Sequence, residues 1–143
     1  MTIKTTSTTA NTTTPLYEVL YISTISPEAP ISIVADIAAR ARVFNESQGI
    51  TGLLIFDGMR FCQQLEGPRK PVMALLERIR HDTRHTSVEI LHHAPLAERR
   101  FRRFSLGYTM FDDADALAPL EQFDGDQAIH AFMAMVASLD LDA

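Results

Sequence analysis

Two hydrophobic periods run along the chain, and they alternate in blocks. Leu16 to Ser23 reads as a first strand, with Tyr17, Val19 and Tyr21 on one face and Leu16, Leu20 and Ile22 on the other. Both faces are largely apolar, so both are expected to be covered. After a loop carrying Pro27 and Pro30, Ser32 is a candidate N-cap for a helix running to about Asn45. Val34, Ile37, Ala38, Ala41 and Phe44 make its apolar stripe, and Arg40 and Arg42 near its end suit the helix dipole. Leu53 to Phe56 is a short apolar run, as a buried strand should be. Asp57-Gly58 is a favoured two-residue hairpin dipeptide, and Phe61, Gln63 and Leu65 share one face of the returning strand.

The helical period then returns. Pro68 and Pro71 flank the start of a second helix, in which Val72, Leu75, Leu76 and Ile79 follow the i, i+3, i+4, i+7 pattern. A polar connection from His81 to His85 leads to a strand from Val88 to Ala94. The basic turn Arg99-Arg100-Phe101-Arg102-Arg103 leads to a fifth strand from Phe104 to Tyr108. An acidic turn, Asp112 to Asp115, precedes a helical segment from about Gln127 to Leu139, amphipathic through Ile129, Phe132, Met133 and Val136. The order βαββαββ predicts an α+β, ferredoxin-like sandwich: a mixed five-stranded sheet, two helices on one face and the C-terminal helices on the other.

Composition narrows the functional classes. A length of 143 residues suits one domain, and 46% hydrophobic residues can supply its core. A net charge of −5 argues against a nucleic-acid partner. Cys62 is the single cysteine, so no intrachain disulfide can form, and a reducing, cytoplasmic setting is expected. No apolar run approaches the ~18 residues of a membrane span. Residues 1–14 are Thr-rich without an apolar segment, which predicts a disordered tail rather than a secretory signal. His81, His85, His92, His93 and Cys62 lack zinc-site spacing, so no metal is expected. Asp57 and Glu66 lack the pattern of paired-carboxylate catalysis, and no catalytic residue is assigned. The four arginines of the basic turn could form an anion patch, but the acidic total favours a solvated turn.

Gln63 is the residue the pattern does not absorb. It lies between two apolar neighbours on a face that should be core, and an amide buried without partners is costly. Asn45, just upstream, could approach the same place. Strand parity lets Tyr21 share that face. Taken singly, Tyr21 reads as a core tyrosine and Asn45 as a helix-terminal residue in a left-handed conformation, whereas Gln63 divides evenly between structure and function.

In combination these residues resemble the BLUF family of blue-light sensors. The signatures are Leu-Tyr-Glu-Val-Leu-Tyr21, Asn45, Gly49-Ile50-Thr51-Gly52-Leu53-Leu54, Phe61-Cys62-Gln63-Gln64-Leu65-Glu66-Gly67, Asp82-Thr83-Arg84-His85 and the run from Arg99 to Tyr108. The match runs from about Leu16 to Met110. It implies a flavin-binding domain over 15–110 and a C-terminal helical cap over 111–143. The resemblance implies FAD as cofactor, with FMN as the alternative. It implies that Tyr21, Ile37, Asn45, Phe61, Gln63, Ile79, Arg84 and His85 surround the ring, and that Tyr21 and Gln63 form the photoactive switch. In that family, light moves an electron and a proton from the tyrosine, and the glutamine changes orientation or tautomer before the pair recombines. The absorption then shifts to the red, and nothing is turned over. Phe104 and Leu106 stand where the family usually has Trp and Met, which bears on signal output. The expected partners are a separate downstream protein and a second copy of the chain, with no nucleic acid and no membrane. The competing expectation is a ferredoxin-like interaction or oligomerisation module without a light response.

Overall fold

A computed structural model describes residues 15–30, 32–108 and 116–137, with backbone alone for 105–108. The Thr-rich tail, the acidic turn from Asp112 to Asp115, the chain beyond Ala137 and the side chain of Leu106 lie outside the described residues. In order, the elements are β1 (Leu16–Ile25), α1 (Ile33–Ser47), β2 (Thr51–Phe56), β3 (Arg60–Pro68), α2 (Arg69–Arg80), β4 (His85–Leu96), β5 (Phe104–Tyr108), a short 3-10 helix (Ala118–Gln122) and α3 (Gly125–Val136).

The strands lie side by side in the order β4-β1-β3-β2-β5. The four strands from β4 to β2 are antiparallel neighbours, and the short β5 joins the β2 edge in parallel. Antiparallel register sets which side chains meet. Tyr21 stands opposite Gln63, Val19 opposite Leu65, and Ser23 opposite Phe61. These odd-numbered residues face α1 and α2. There Tyr17, Val19, Tyr21, Ile50 and Leu65 pack with Val72 and Leu76, while Leu54, Phe56, Phe61 and Phe104 pack with Val34 and Ala38. The opposite face carries Leu20, Ile22, Leu53, Ile55 and Cys62 against Leu117, Leu120, Ile129 and Phe132. Apolar strands on both faces thus have a cover on both faces, which is what their composition requires.

Several local features differ from the pattern-based expectations. The hairpin centres on Gly58-Met59, one residue later than expected, because Asp57 N–H bonds to the Arg60 carbonyl across the turn. Asp57 Oδ1 accepts from the N–H groups of Met59 and Arg60, at 2.9 and 2.6 Å, and so holds the turn itself. Gly58 supplies the positive φ of 101°. Ser32 occupies the N-cap position of α1 but its hydroxyl makes no capping bond. Helix α1 continues to Ser47, which leaves Arg40 and Arg42 before its last turn. Asn45 is helical, and Gly49 takes the left-handed conformation, φ 72°, after the helix end. Strand β4 is longer than the apolar run suggested, and its register against β1 shifts twice, with Ser87 at φ 55° in the second shift. Such bulges re-aim side chains along a strand.

The basic turn is not simply solvated. Arg100 Nε and Nη2 donate to the two carboxylate oxygens of Glu18 at 2.8 and 3.1 Å. Arg99 donates to the carbonyl of Gly49 and to Thr51 Oγ1, both at 2.8 Å. Gly52 explains how this sheet region closes: a Cβ built there would lie 1.9 Å from the Gln64 carbonyl oxygen, so only glycine permits the approach.

Candidate functional site

A cavity of about 370 Å³ opens between α1 and α2 above the sheet. Its floor comes from β1, β2 and β3 through Tyr21, Leu54, Phe61 and Gln63. Helix α1 contributes Ile37 and Asn45, helix α2 contributes Ile79, and Arg84 and His85 close one end beside Asp82. The eight residues expected around a cofactor, Tyr21, Ile37, Asn45, Phe61, Gln63, Ile79, Arg84 and His85, all line this one cavity. The register explains the floor: residues two apart on one strand project to one side, and opposed residues of antiparallel strands project together.

Tyr21 Oη donates to Gln63 Oε1 at 2.5 Å, both residues buried. Burial, with smaller contributions from Cys62 and Asp82, pushes the Tyr21 phenol far above its usual range, so it keeps its proton. Asn45 is 1% exposed, and neither its amide nitrogen nor its amide oxygen has a partner. Native buried amides are almost always bonded, and an unmet donor and acceptor on one cavity wall point to a ligand with the complementary pair. At the end wall, Arg84 grips Asp82 through Nε and Nη2 at 2.9 and 2.5 Å. That hydrogen bonding holds the Asp82 carboxyl below its usual range and raises the Arg84 guanidinium.

Phe104 is buried against the floor residues Phe61 and Leu54 rather than in the cavity wall. Leu106 is opposite Leu54 in the β2–β5 register. Cys62 points to the other sheet face, where burial raises its thiol well above the usual range and leaves it unreactive.

One polar assembly was not anticipated. On the face away from the cavity, Gln64 Nε2 donates to Glu18 Oε1 at 3.0 Å and to Glu66 Oε1 at 2.9 Å. Glu18 also accepts from Arg100 and from His92 Nε2, and Glu66 accepts from Thr51 and from the N–H groups of Arg100 and Phe101. Burial works to raise the Glu18 carboxyl, but the bonds from Arg100, Gln64 and His92 outweigh it and hold it below its usual range. The available sequence signal was a carboxylate, Glu18, inside an apolar strand, together with Gln64 and Glu66 two residues apart on one face.

Fold and cavity together define a small α+β sandwich that holds a tyrosine–glutamine pair at the floor of a cavity between its two helices. The family model "Sensors of blue-light using FAD" matches residues 16–107, and the chain belongs to that family, BLUF, of flavin-using blue-light sensors. It is 51% identical over 55 residues to photoactivated adenylate cyclase subunit beta of Euglena gracilis, a match over 38% of this chain and 6% of that protein. It is 34% identical over 99 residues to the blue light- and temperature-regulated antirepressor BluF of Escherichia coli, over 68% of this chain and 24% of that protein. The chain therefore spans a minor part of these curated relatives. Among solved structures, the dark state of the BLUF protein BlrB superposes with a TM-score of 0.71 at 28% identity, covering 87% of this chain and 96% of that one. The photo-activated state of BlsA gives 0.76 at 22% identity, over 90% and 99%, a likeness of fold. Among the described residues no helix is long and apolar enough to cross a membrane.

Proposed function

We propose that this chain is a blue-light photoreceptor that holds a flavin non-covalently in the cavity between α1 and α2 and signals by rearranging the Tyr21–Gln63 pair. The observation that carries the reading is Asn45: a buried amide with both ends unmet, on the wall of the cavity that Tyr21 and Gln63 floor. Bound there, a flavin supplies the blue absorption and an electron- and proton-accepting ring.

The chain's own residues supply the rest. Asn45 would hold the ring through one donor and one acceptor. Ile37, Phe61 and Ile79 exclude water from it. Tyr21 retains its proton in the dark, so the proton leaves only when light chemistry has oxidised the phenol. Gln63 presents its amide oxygen to Tyr21, and this would be the pattern of the dark state. An amide can present either end, which gives two hydrogen-bond patterns and a two-state element.

We infer FAD as the flavin, with FMN as the alternative that mass spectrometry of the released cofactor decides. Residues 15–110 would form the sensor, 111–143 its cap, and 1–14 a tail. The sensor would itself catalyse no turnover, since rearranging the Tyr21–Gln63 pair neither forms nor releases a product. The output would reach a separate protein, or a second copy of this chain, in the cytoplasm, with no nucleic acid or membrane involved. Phe104 and Leu106 would limit how far β5 responds.

The test is an absorption spectrum of the purified protein before and after blue light. A yellow protein with a reversible red shift is expected. Tyr21→Phe and Gln63→Leu should keep the flavin and lose the shift. A colourless protein that also refuses added FAD and FMN sinks this reading and favours an interaction module.

A further inference from the structure

His85 lines the cavity, yet both of its ring nitrogens are used by the protein. Nε2 lies 2.7 Å from the carbonyl oxygen of Ile79 at the end of α2. A carbonyl only accepts, so Nε2 carries the proton. In the neutral ring Nδ1 is then an acceptor, and Ser23 Oγ, 2.8 Å away on β1, is its donor. Ser23 is buried at 2% exposure. The imidazole thus bridges the last turn of α2 to β1 and has no hydrogen-bonding group left for a ligand.

The ring held in this way makes T-shaped pairs with two floor residues. Its centroid is 6.2 Å from that of Tyr21, with 78° between planes, and 6.1 Å from that of Phe61, with 81°. Edge-to-face pairs of this kind constrain ring orientation. Tyr21 is bonded through its hydroxyl to Gln63, so the plane of the phenol decides where that donor points. Ser23 belongs to β1 and projects to the cavity face two residues after Tyr21, but it is absent from the cavity lining.

We propose that Ser23 is a positioning residue for the photoactive pair: by fixing His85, it sets the orientation of the Tyr21 phenol toward Gln63. The role rests on the flavin-sensing reading. Without the Ser23 bond the imidazole keeps one anchor, at Ile79, and can swing about it. The space around Tyr21 then loosens, and the barrier to rearranging the Tyr21–Gln63 pair falls in the return direction.

The experiment compares wild type, Ser23→Ala and Ser23→Thr as full chains loaded with FAD. Three readouts are taken: bound flavin, the rate of dark recovery of the red-shifted state, and the imidazole nitrogen resonances of His-labelled protein. Wild type should show His85 with Nε2 protonated and Nδ1 accepting. Ser23→Ala should retain flavin, shift the Nδ1 resonance to that of an unbonded acceptor, and recover about fivefold faster, the ratio expected from one lost neutral hydrogen bond. Ser23→Thr keeps a hydroxyl and should restore both signals. Should the alanine variant be insoluble, Ser23→Cys, a weaker donor of similar size, should give an intermediate rate. A flavin-bound Ser23→Ala, or Ser23→Cys in its place, with wild-type recovery overturns the positioning role and leaves the photoreceptor reading standing. A wild-type chain that takes up no flavin overturns both.

Discussion

The unmet amide of Asn45 predicts that stability and binding respond oppositely to one substitution. Each buried group left without a partner costs about 1–3 kcal/mol, so two such groups place roughly 2–6 kcal/mol of unmet demand on the flavin-free protein. Asn45→Leu removes both groups at a similar side-chain volume. Flavin-free stability should rise, by about 1–2 kcal/mol once imperfect packing is allowed for. Flavin affinity should fall, because two hydrogen bonds worth about 1 kcal/mol each disappear, which is about thirtyfold in Kd. Asn45→Ala should lose as much affinity with a smaller gain in stability, since the shorter side chain leaves space in the wall. Urea unfolding of the flavin-free chains measures the first effect, and titration of flavin fluorescence the second. If Asn45→Leu destabilises the flavin-free protein by more than about 1 kcal/mol, the amide is a satisfied structural group. If Kd is unchanged, Asn45 does not hold the ligand.

Four further outcomes follow from other parts of the fold. Glu18 is held below its usual 4.5, so its contribution is complete above about that pH and is lost as pH falls through the lower folded value. A melting-temperature profile should therefore drop on the acid side, and Glu18→Gln should flatten that drop; an unchanged acid limb refutes the assignment. On the same sheet face, Phe132→Ala should cost about 3–5 kcal/mol in urea unfolding, because Phe132 is fully buried against Leu20 and Ile22. Removing the residues after Phe111 should leave those side chains exposed and cause aggregation or an altered oligomer size, and a soluble truncated chain of unchanged size contradicts this. Phe104→Trp with Leu106→Met should alter dark recovery and increase light-dependent amide exchange over residues 100–110. The larger ring must fit against Phe61 and Leu54 and should lower stability by about 1–3 kcal/mol; a wild type that already shows the full exchange change argues against these two residues limiting output.

Local periodicity was enough to place the main strands and helices and the faces that meet at the cavity. Period two placed Tyr21 and Gln63 on one side of their strands and Cys62 on the other, and the helical stripes brought Ile37 and Ile79 to the cavity side. Those assignments depend on near neighbours in the chain, so they can be read from it. The amide chemistry of Gln63 was legible for the same reason, as a polar residue out of step with an apolar face. Tertiary structure decided what these patterns could not. Arg100 reaches Glu18 across 82 positions, and the charge balance of the whole chain said nothing about that pairing. His85 meets Ser23 across 62 positions, after two register shifts in β4 that no hydrophobic pattern marks. Asp57 tied down its own turn and moved the hairpin centre by one residue, and its second oxygen accepts from Leu117 N–H of the C-terminal segment. The buried polar partners come from segments far apart in the chain. Which donor meets which acceptor depends on register, bulges and the docking of loops, and only the folded chain fixes those.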